Sequence, residues 1–356
     1  MKVIHLDLGK EWRGGQRQVY YLIAEQTKHT KHTNLQLFLA SPPNSPLSRQ
    51  IQQNFSWVKI IPLSSRFEFS IFNVIALKKI IDPHKPVIVH THDGKGAGLG
   101  AVLKLFFPHI RLIHTRRVSY PLKNFWSKKK YLLADWVVGV SKDICSYLQQ
   151  IGVEKTSCIP SVIKPELYPL RTKPYIQEIP VKLGIIGALS PQKGHEWALH
   201  ALASCPLDFV LYVVGTGCLE KRLKELVRIL NLTEKVKFLG FVESKQILSK
   251  LDVLLVPSID GEGSSGTIKE AWASKVAVIA SDLKANLELI SPNQDGLVVP
   301  VGDSFALQAA LKRLIQDKAF YSFLVKNGLA KVQNYVPSKM EESYFKLYNS
   351  LFLQVS

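Results

Sequence analysis

Along the chain, short apolar runs of strand length alternate with stretches whose apolar residues recur at helical spacing. In the first half the runs and stretches are 3–8 with 16–27, then 35–39, 87–90 with 96–107, 112–114, and 136–140 with 142–151. Such alternation predicts β-α units on a parallel sheet. Between 160 and 180 it breaks: prolines at 160, 165, 169, 174 and 180 each fix φ and remove a backbone donor, so 166–180 reads as an interdomain linker. Afterwards the pattern resumes. Apolar runs at 182–186, 209–214, 236–239, 253–256, 276–280 and 297–299 are separated by helical stretches such as 195–203, 219–230, 245–251 and 266–273. The expected architecture is α/β, with two doubly wound, Rossmann-like parallel-sheet domains at 1–165 and 181–336 and a final helix, about 337–356, packing back on the first. Ligands of open sheets bind beyond the carboxyl ends of the strands, which makes the cleft between the domains the expected site.

Length supports two cores, since 356 residues with 46% hydrophobic content exceed what one core usually holds. No apolar run reaches membrane-spanning length, because residues such as Lys78, Lys79 and Lys104 interrupt each candidate. The segment from Met1 to Asp7 turns acidic too soon for a secretory signal, so a cytoplasmic protein is expected. Cys145, Cys158, Cys205 and Cys218 have no Cys-x-x-Cys spacing and suggest buried thiols, with neither a disulfide framework nor a zinc site.

Charge changes the picture more. Of the net +18, residues 1–175 carry 26 basic against 10 acidic side chains, net +16, whereas residues 176–356 carry 20 against 18, net +2. A one-sided positive field steers a protein toward a polyanion. Its densest part, 104–130, mixes Lys104, Arg111, Arg116, Arg117, Lys123, Lys128, Lys129 and Lys130 with Phe106, Phe107, Tyr120, Phe125 and Trp126. That mixture suits an anionic membrane surface, where rings sit at headgroup depth and cations meet phosphates. A solvated basic face over ordinary core aromatics is the competing reading. No nucleic-acid-binding motif accompanies the charge, and no nucleic-acid partner is expected.

The richest chemistry lies in 256–273, where a strand end leads into the small-residue loop Gly261-Glu262-Gly263-Ser264-Ser265 and then a helix near Gly266. Unpaired amides and the helix dipole make that junction a cradle for phosphate. Glu262 and Glu270 stand eight residues apart, one before the helix and one inside it, so they cannot form an adjacent acid-base pair. Elsewhere, His90 and His92 share a strand face and invite a metal reading, but His92 or Asp93 reads better as a pocket residue or as the cap of the next helix. The run Gly96-Ala-Gly98-Leu-Gly100-Ala101 formally matches a dinucleotide fingerprint. Arg116 and Arg117 stand where that motif needs an acid, so the glycines serve close helix packing instead.

Taken together, these motifs resemble the family 4 retaining glycosyltransferases, which have the GT-B fold and a Glu-x7-Glu signature. Glu262 and Glu270 match the signature. Gly14-Gly15 resembles the family's N-terminal glycine loop, 134–141 its Ala-Asp…Ser segment, Gly187…Lys193-Gly194 its Lys-Gly loop, 236–241 its Val-x-Phe-x-Gly segment, and 295–303 its Gly-…-Pro-…-Gly-Asp element. The resemblance implies a donor, a nucleotide diphosphate sugar, and neither metal nor further cofactor; no Asp-x-Asp occurs. It implies that Glu270 binds the ribose and Glu262 a sugar hydroxyl, while Gly15, Gly187 and the amides of Gly263, Ser264, Ser265, Gly266 and Thr267 serve sugar and diphosphate. Gly240 and Phe241 would hold the base, Lys193 would neutralise the diphosphate, and His114 would lie near the donor sugar. The family's loop arginine is replaced by Ala188, so another base such as Arg13 or Arg17, or Lys193 with the amides, must carry that charge. The implied reaction is metal-free, retaining transfer to an acceptor hydroxyl, the leaving phosphate taking the acceptor's proton. The acceptor expected from the basic first half is a saccharide or glycolipid at the inner membrane face, such as a lipopolysaccharide core intermediate. His92, Arg116, Arg117, Lys123, Lys128, Lys129 and Lys130 would line that acceptor and membrane side. A GT-B sugar-nucleotide epimerase and a silent sugar-nucleotide-binding subunit are the alternatives.

Overall fold

The computed structural model describes residues 1–30, 34–64 and 70–353. The chain divides into two compact units, residues 1–161 with 337–356 and residues 162–336. The last three residues of the expected C-terminal helix lie outside the described residues.

The first unit is a seven-stranded sheet of β1 Lys2–Leu6, β2 Gln36–Ser41, β3 Lys59–Pro62, β4 Val87–Thr91, β5 Arg111–Arg116, β6 Trp136–Gly139 and β7 Thr156–Cys158. All pairs are parallel, in the order β3-β2-β1-β4-β5-β6-β7. Every residue of β4 is buried, as a central parallel strand with both faces covered requires. One core layer packs Ile4, Leu6, Val87 and Val89 against Leu99 and Leu103 of the helix Gly94–Phe106. That helix is capped by Asp93, whose carboxylate accepts the Gly96 N–H. The helix Pro337–Leu353 lies against the helix Gly14–Thr30 and buries Tyr344, Tyr348 and Leu351 in this unit.

The second unit is a six-stranded parallel sheet of β8 Val181–Ile186, β9 Phe209–Val214, β10 Val236–Gly240, β11 Val253–Val256, β12 Ala277–Ser281 and β13 Leu297–Val299, in the order β10-β9-β8-β11-β12-β13. Its two core layers are built around Leu183, Leu211, Leu255 and Tyr321 on one side and Leu254, Trp272 and Val278 on the other.

The proline-rich stretch differs from the linker read from sequence. From Val162 onward it belongs to the second unit. Ile163 and Tyr168 are buried in the Trp272 core. The Arg171 N–H donates to the Ser274 carbonyl at 2.8 Å, and its guanidinium pairs with Asp252 at 2.5 Å, both side chains nearly buried. A buried cation keeps its charge only beside a buried partner, so this pair fixes the stretch as a strap rather than a free hinge.

Candidate functional site

In the second sheet the strand order reverses between β8 and β11, and the loops leaving their carboxyl ends run side by side. Gly194 is why they can. It sits at φ 65°, ψ 22°, and a Cβ there would stand 1.8 Å from the Pro257 carbonyl oxygen. Only glycine tolerates both the left-handed conformation and that approach. Two bonds hold the loops together: Trp197 Nε1 donates to the Pro257 carbonyl at 2.7 Å, and the Ile259 N–H to the Gln192 carbonyl at 2.8 Å. Gly215 plays a similar part at the end of β9, where a Cβ would meet the Gly187 oxygen at 1.9 Å.

The stem of Lys193 rests on Gly187, in ordinary contact at 3.6 Å from where a Cβ would stand. Its Nζ donates to Glu262 Oε1 at 2.6 Å, and Ser258 Oγ donates to the same oxygen at 2.6 Å. The Ser258 carbonyl in turn accepts from Ser281 Oγ. The Glu262 side chain is 7% exposed and that of Lys193 32%, so the pair stands at the rim of the unit with its lysine facing outward. From Glu262 the chain passes through Gly263, Ser264 and Ser265 into the helix Gly266–Ala273, whose first turn has no side-chain cap. Its amides keep the donor capacity that the first turn of any helix has. Ser265 and Thr267 share a hydroxyl bond of 3.1 Å, and the fully buried Lys269 donates to Ser264 Oγ at 2.6 Å. Glu270 is buried one turn into that helix. Gly240 sits at φ 66° with open space beyond its Cα, and Phe241 after it is 80% exposed. Ala188 is exposed on the Lys193 loop.

Three features of this edge escaped the sequence reading. Ser258 and Gly215 are strand-end residues, and a small or glycine residue directly after an apolar run is the signal that could have found them. His195, first residue of the helix His195–Ala203, is 2% exposed with no partner for either ring nitrogen among the described residues; burial, then the Lys193 charge, push its pKa down to about 4.

In the first unit the corresponding reversal lies between β1 and β4. Asp7, His92 and Asp93 follow those strands, and Arg117 follows β5. Asp7 accepts from the Gly9 N–H and from Gln16, while Asp93 accepts from the Leu8 and Gly96 N–H groups. Burial pushes the Asp7 carboxyl up; burial and the Asp7 charge push Asp93 up to about 6. Arg117, which can only donate, bonds the His92 carbonyl at 2.9 Å and His92 Nδ1 at 3.4 Å. His92 Nε2 is therefore the protonated nitrogen, and it donates to His5 Nδ1 at 3.0 Å; His5 Nε2 then donates to Gln26 Oε1 at 2.8 Å. His90 bonds Tyr348 OH and Thr115 Oγ1. The three histidines bring ligand atoms within 4.8 Å of one another, a spacing that a metal could use. Each nitrogen is committed to a protein partner and a guanidinium abuts His92, so the cluster is a hydrogen-bonded core rather than a ligand set. Burial holds all three rings neutral, with His5 at about 4.

Several expected residues fall elsewhere than the sequence suggested. His114 is fully buried, donating from Nε2 to the Lys130 carbonyl and accepting at Nδ1 from Thr91, with its pKa lowered to about 4 by burial; no ring nitrogen is left for a donor sugar. Arg116 is buried against the rings of Tyr120, Tyr131 and Tyr147. Lys130 is buried and caps the Gly94 carbonyl at 2.7 Å. His92 is likewise interior, and Arg117 is partly covered, with its Cδ 3.9 Å from where a Gly15 Cβ would stand. These four were expected on an acceptor or membrane face; buried carbonyls and aromatic rings satisfy them instead. Lys123, Lys128 and Lys129 are exposed, beside a Phe125 that is 76% exposed.

Two family models match the chain: Glycosyltransferase Family 4 over residues 12–167 and Glycosyl transferases group 1 over residues 180–317. Among curated proteins, the lipopolysaccharide core biosynthesis mannosyltransferase LpcC of Rhizobium leguminosarum is 34% identical over 178 residues, 48% of this chain and 51% of that protein. The UDP-Gal:alpha-D-GlcNAc-diphosphoundecaprenol alpha-1,3-galactosyltransferase of Escherichia coli is 26% identical over 291 residues, 74% of each chain. With several other curated relatives, the match spans less than half of their own length. Among solved structures, Anabaena Alr3699/HepE in complex with UDP superposes with a TM-score of 0.82 at 18% identity, covering 98% of this chain and 100% of that one. The two parallel-sheet units are those of the GT-B fold. By its two sheets, its paired strand-end loops and the two matched models, the chain belongs to the family 4 glycosyltransferases.

Proposed function

We propose that this protein transfers a sugar from a nucleotide diphosphate sugar to an acceptor hydroxyl, with retention and without metal. The observation that carries the reading is the Lys193–Glu262 pair, held at the β8/β11 reversal on stitched loops beside the uncapped helix Gly266–Ala273. Cleaving the sugar–phosphate bond leaves negative charge on the diphosphate, which fixed N–H groups and an ammonium stabilise. An arriving donor would exchange Lys193 from Glu262 onto a diphosphate oxygen, leaving the carboxylate to accept a sugar hydroxyl. Amides of Gly263 to Thr267 would complete the diphosphate contacts, Glu270 would take the ribose, and Gly240-Phe241 would face the base. The acceptor oxygen then bonds to the anomeric carbon on the face the phosphate leaves, and its proton passes to the departing phosphate. His114, whose two ring nitrogens are taken by Thr91 and the Lys130 carbonyl, makes no donor contact in this reading.

The acceptor in this reading is a glycolipid such as a lipopolysaccharide core intermediate, reached at the inner face of the cytoplasmic membrane. Support comes from the names of LpcC and the Escherichia coli galactosyltransferase and from the charge of the first half. No described helix is long and apolar enough to cross a membrane, so the contact proposed is peripheral, through Lys123, Lys128, Lys129 and Phe125. A thermal-shift screen against UDP-, GDP- and ADP-sugars tests the donor half: one base should stabilise the protein, and Lys193→Ala should abolish the shift. Product anomeric configuration by NMR, with and without chelator, tests the rest; an inverted product or chelator-sensitive turnover refutes it. Because Ala188 replaces the family's arginine, a protein that binds donor without ever releasing nucleoside diphosphate is the second reading, and the same assay separates the two.

A further inference from the structure

The sequence reading put the membrane-facing chemistry in 104–130, yet among the described residues another helix of the first unit presents an exposed apolar face. In Ile71–Lys78 the inward side is Asn73, Val74 and Leu77, all buried. Asn73 locks that orientation: its Nδ2 donates to the Ser64 carbonyl at 2.8 Å and its Oδ1 accepts the Ser64 N–H at 2.9 Å. The outward side is then fixed too, and it carries Ile71, Phe72 and Ile75 at 54, 78 and 49% exposure. Isolated exposed apolar residues are ordinary; three large ones on one turn of a pinned helix are a surface awaiting an apolar partner. Exposed Lys78, Lys79 and Lys85 follow at its C-terminal side, with Asp82 the acid among them. Basic residues rimming an apolar wedge, on a half of the chain with net charge +16, complement an anionic lipid surface.

We infer that Ile71, Phe72 and Ile75 form a hydrophobic wedge by which the first unit inserts into the headgroup region of an anionic bilayer. The wedge is separate from the electrostatic contact at Lys123, Lys128 and Lys129. The inference rests on the membrane half of the proposed function and on none of its donor chemistry. Two weak signals give membrane attachment that neither gives alone, and they differ in salt dependence: the charge contact is screened, the wedge is not.

The test is co-sedimentation of the full chain with phosphatidylcholine vesicles with and without phosphatidylglycerol, at about 0.05 M and about 0.5 M salt. The donor thermal shift is measured on each variant. Wild type should bind the anionic vesicles at both salts. F72S/I75S, which lie on the outer face and disturb no core contact, should lose on the order of 10- to 100-fold in partitioning at both salts. K128E/K129E should lose binding mainly at low salt. The wedge is overturned if F72S/I75S partitions like wild type at high salt. It is also overturned if light scattering shows a wild-type dimer that F72S/I75S abolishes, which would make the face a contact between copies. Failure of all vesicle binding with an intact donor shift removes the wedge and the membrane contact but leaves the transferase reading standing. Loss of the donor shift in wild type would sink the transferase reading instead.

Discussion

At the strand reversal of the first sheet, polar side chains bond to one another; at that of the second, they stand on loops held by backbone contacts. Arg117, His92, His5 and Gln26 form a chain in which the direction of each hydrogen bond follows from the one before, and Gln16 donates separately to Asp7. Around Lys193 and Glu262 the fixed parts are instead Gly194 against Pro257, Trp197 on its carbonyl, and Ile259 on Gln192, while the two charges meet each other at the rim. The first arrangement is an interior whose histidine ring nitrogens are all spoken for. The second is a frame whose charges, in the proposed reaction, would change partners.

The sharpest way to break this contrast is to remove the exchangeable charges. Glu262→Ala or Lys193→Ala should lower turnover by roughly 100- to 1,000-fold while leaving the melting temperature within a few degrees; steady-state kinetics and calorimetry on the same sample decide it. Breaking the frame should act on stability instead. Gly194→Ala puts a methyl group onto the Pro257 oxygen at a left-handed φ and should cost about 2–4 kcal/mol by denaturant titration, with donor binding lost alongside.

Acid probes the buried histidines of the first unit. His5 and His114 have folded pKa values of about 4, below the ordinary 6.5 of unfolded histidine, because burial disfavours the charged ring. Their contribution is complete above pH 6.5 and is lost as pH falls toward 4, costing up to a few kcal/mol. Asp93, raised to about 6, works the other way and gains as pH falls through 6. A net fall in urea midpoint between pH 6.5 and 4.5 is expected, and a rise would mean the rings are not held neutral. Smaller still, Tyr348→Phe removes a hydroxyl from His90 Nδ1 and should cost about 1–2 kcal/mol; a neutral result would show that water replaces it.

How much of this was legible in the sequence follows the same contrast. All six strands of the second sheet appear as apolar runs, five because they are largely buried and the edge strand β10 through Val236, Phe238 and Leu239, and the Lys193 loop carries Gly194, which a close backbone approach explains. Edge strands were harder. β7, Thr156–Cys158, is half exposed and offers no apolar run, and β3 is only four residues long with an exposed start. Least legible were the fates of charges in the first half. Lys130 and Arg116 look like surface cations until the fold brings the Gly94 carbonyl and three tyrosine rings to them, from up to 36 positions away. His5 showed no signal, since its partners lie at 26 and 92.

The Lys193–Glu262 contact also sets the terms on which anything binds there. An empty pocket with a lone, nearly covered carboxylate would be unstable; this one is occupied by its own counter-ion. In the proposed reaction a donor would therefore enter by ion exchange, and its affinity would be the difference between two pairings rather than the strength of one. When the spent nucleotide left, the lysine would have a partner to return to.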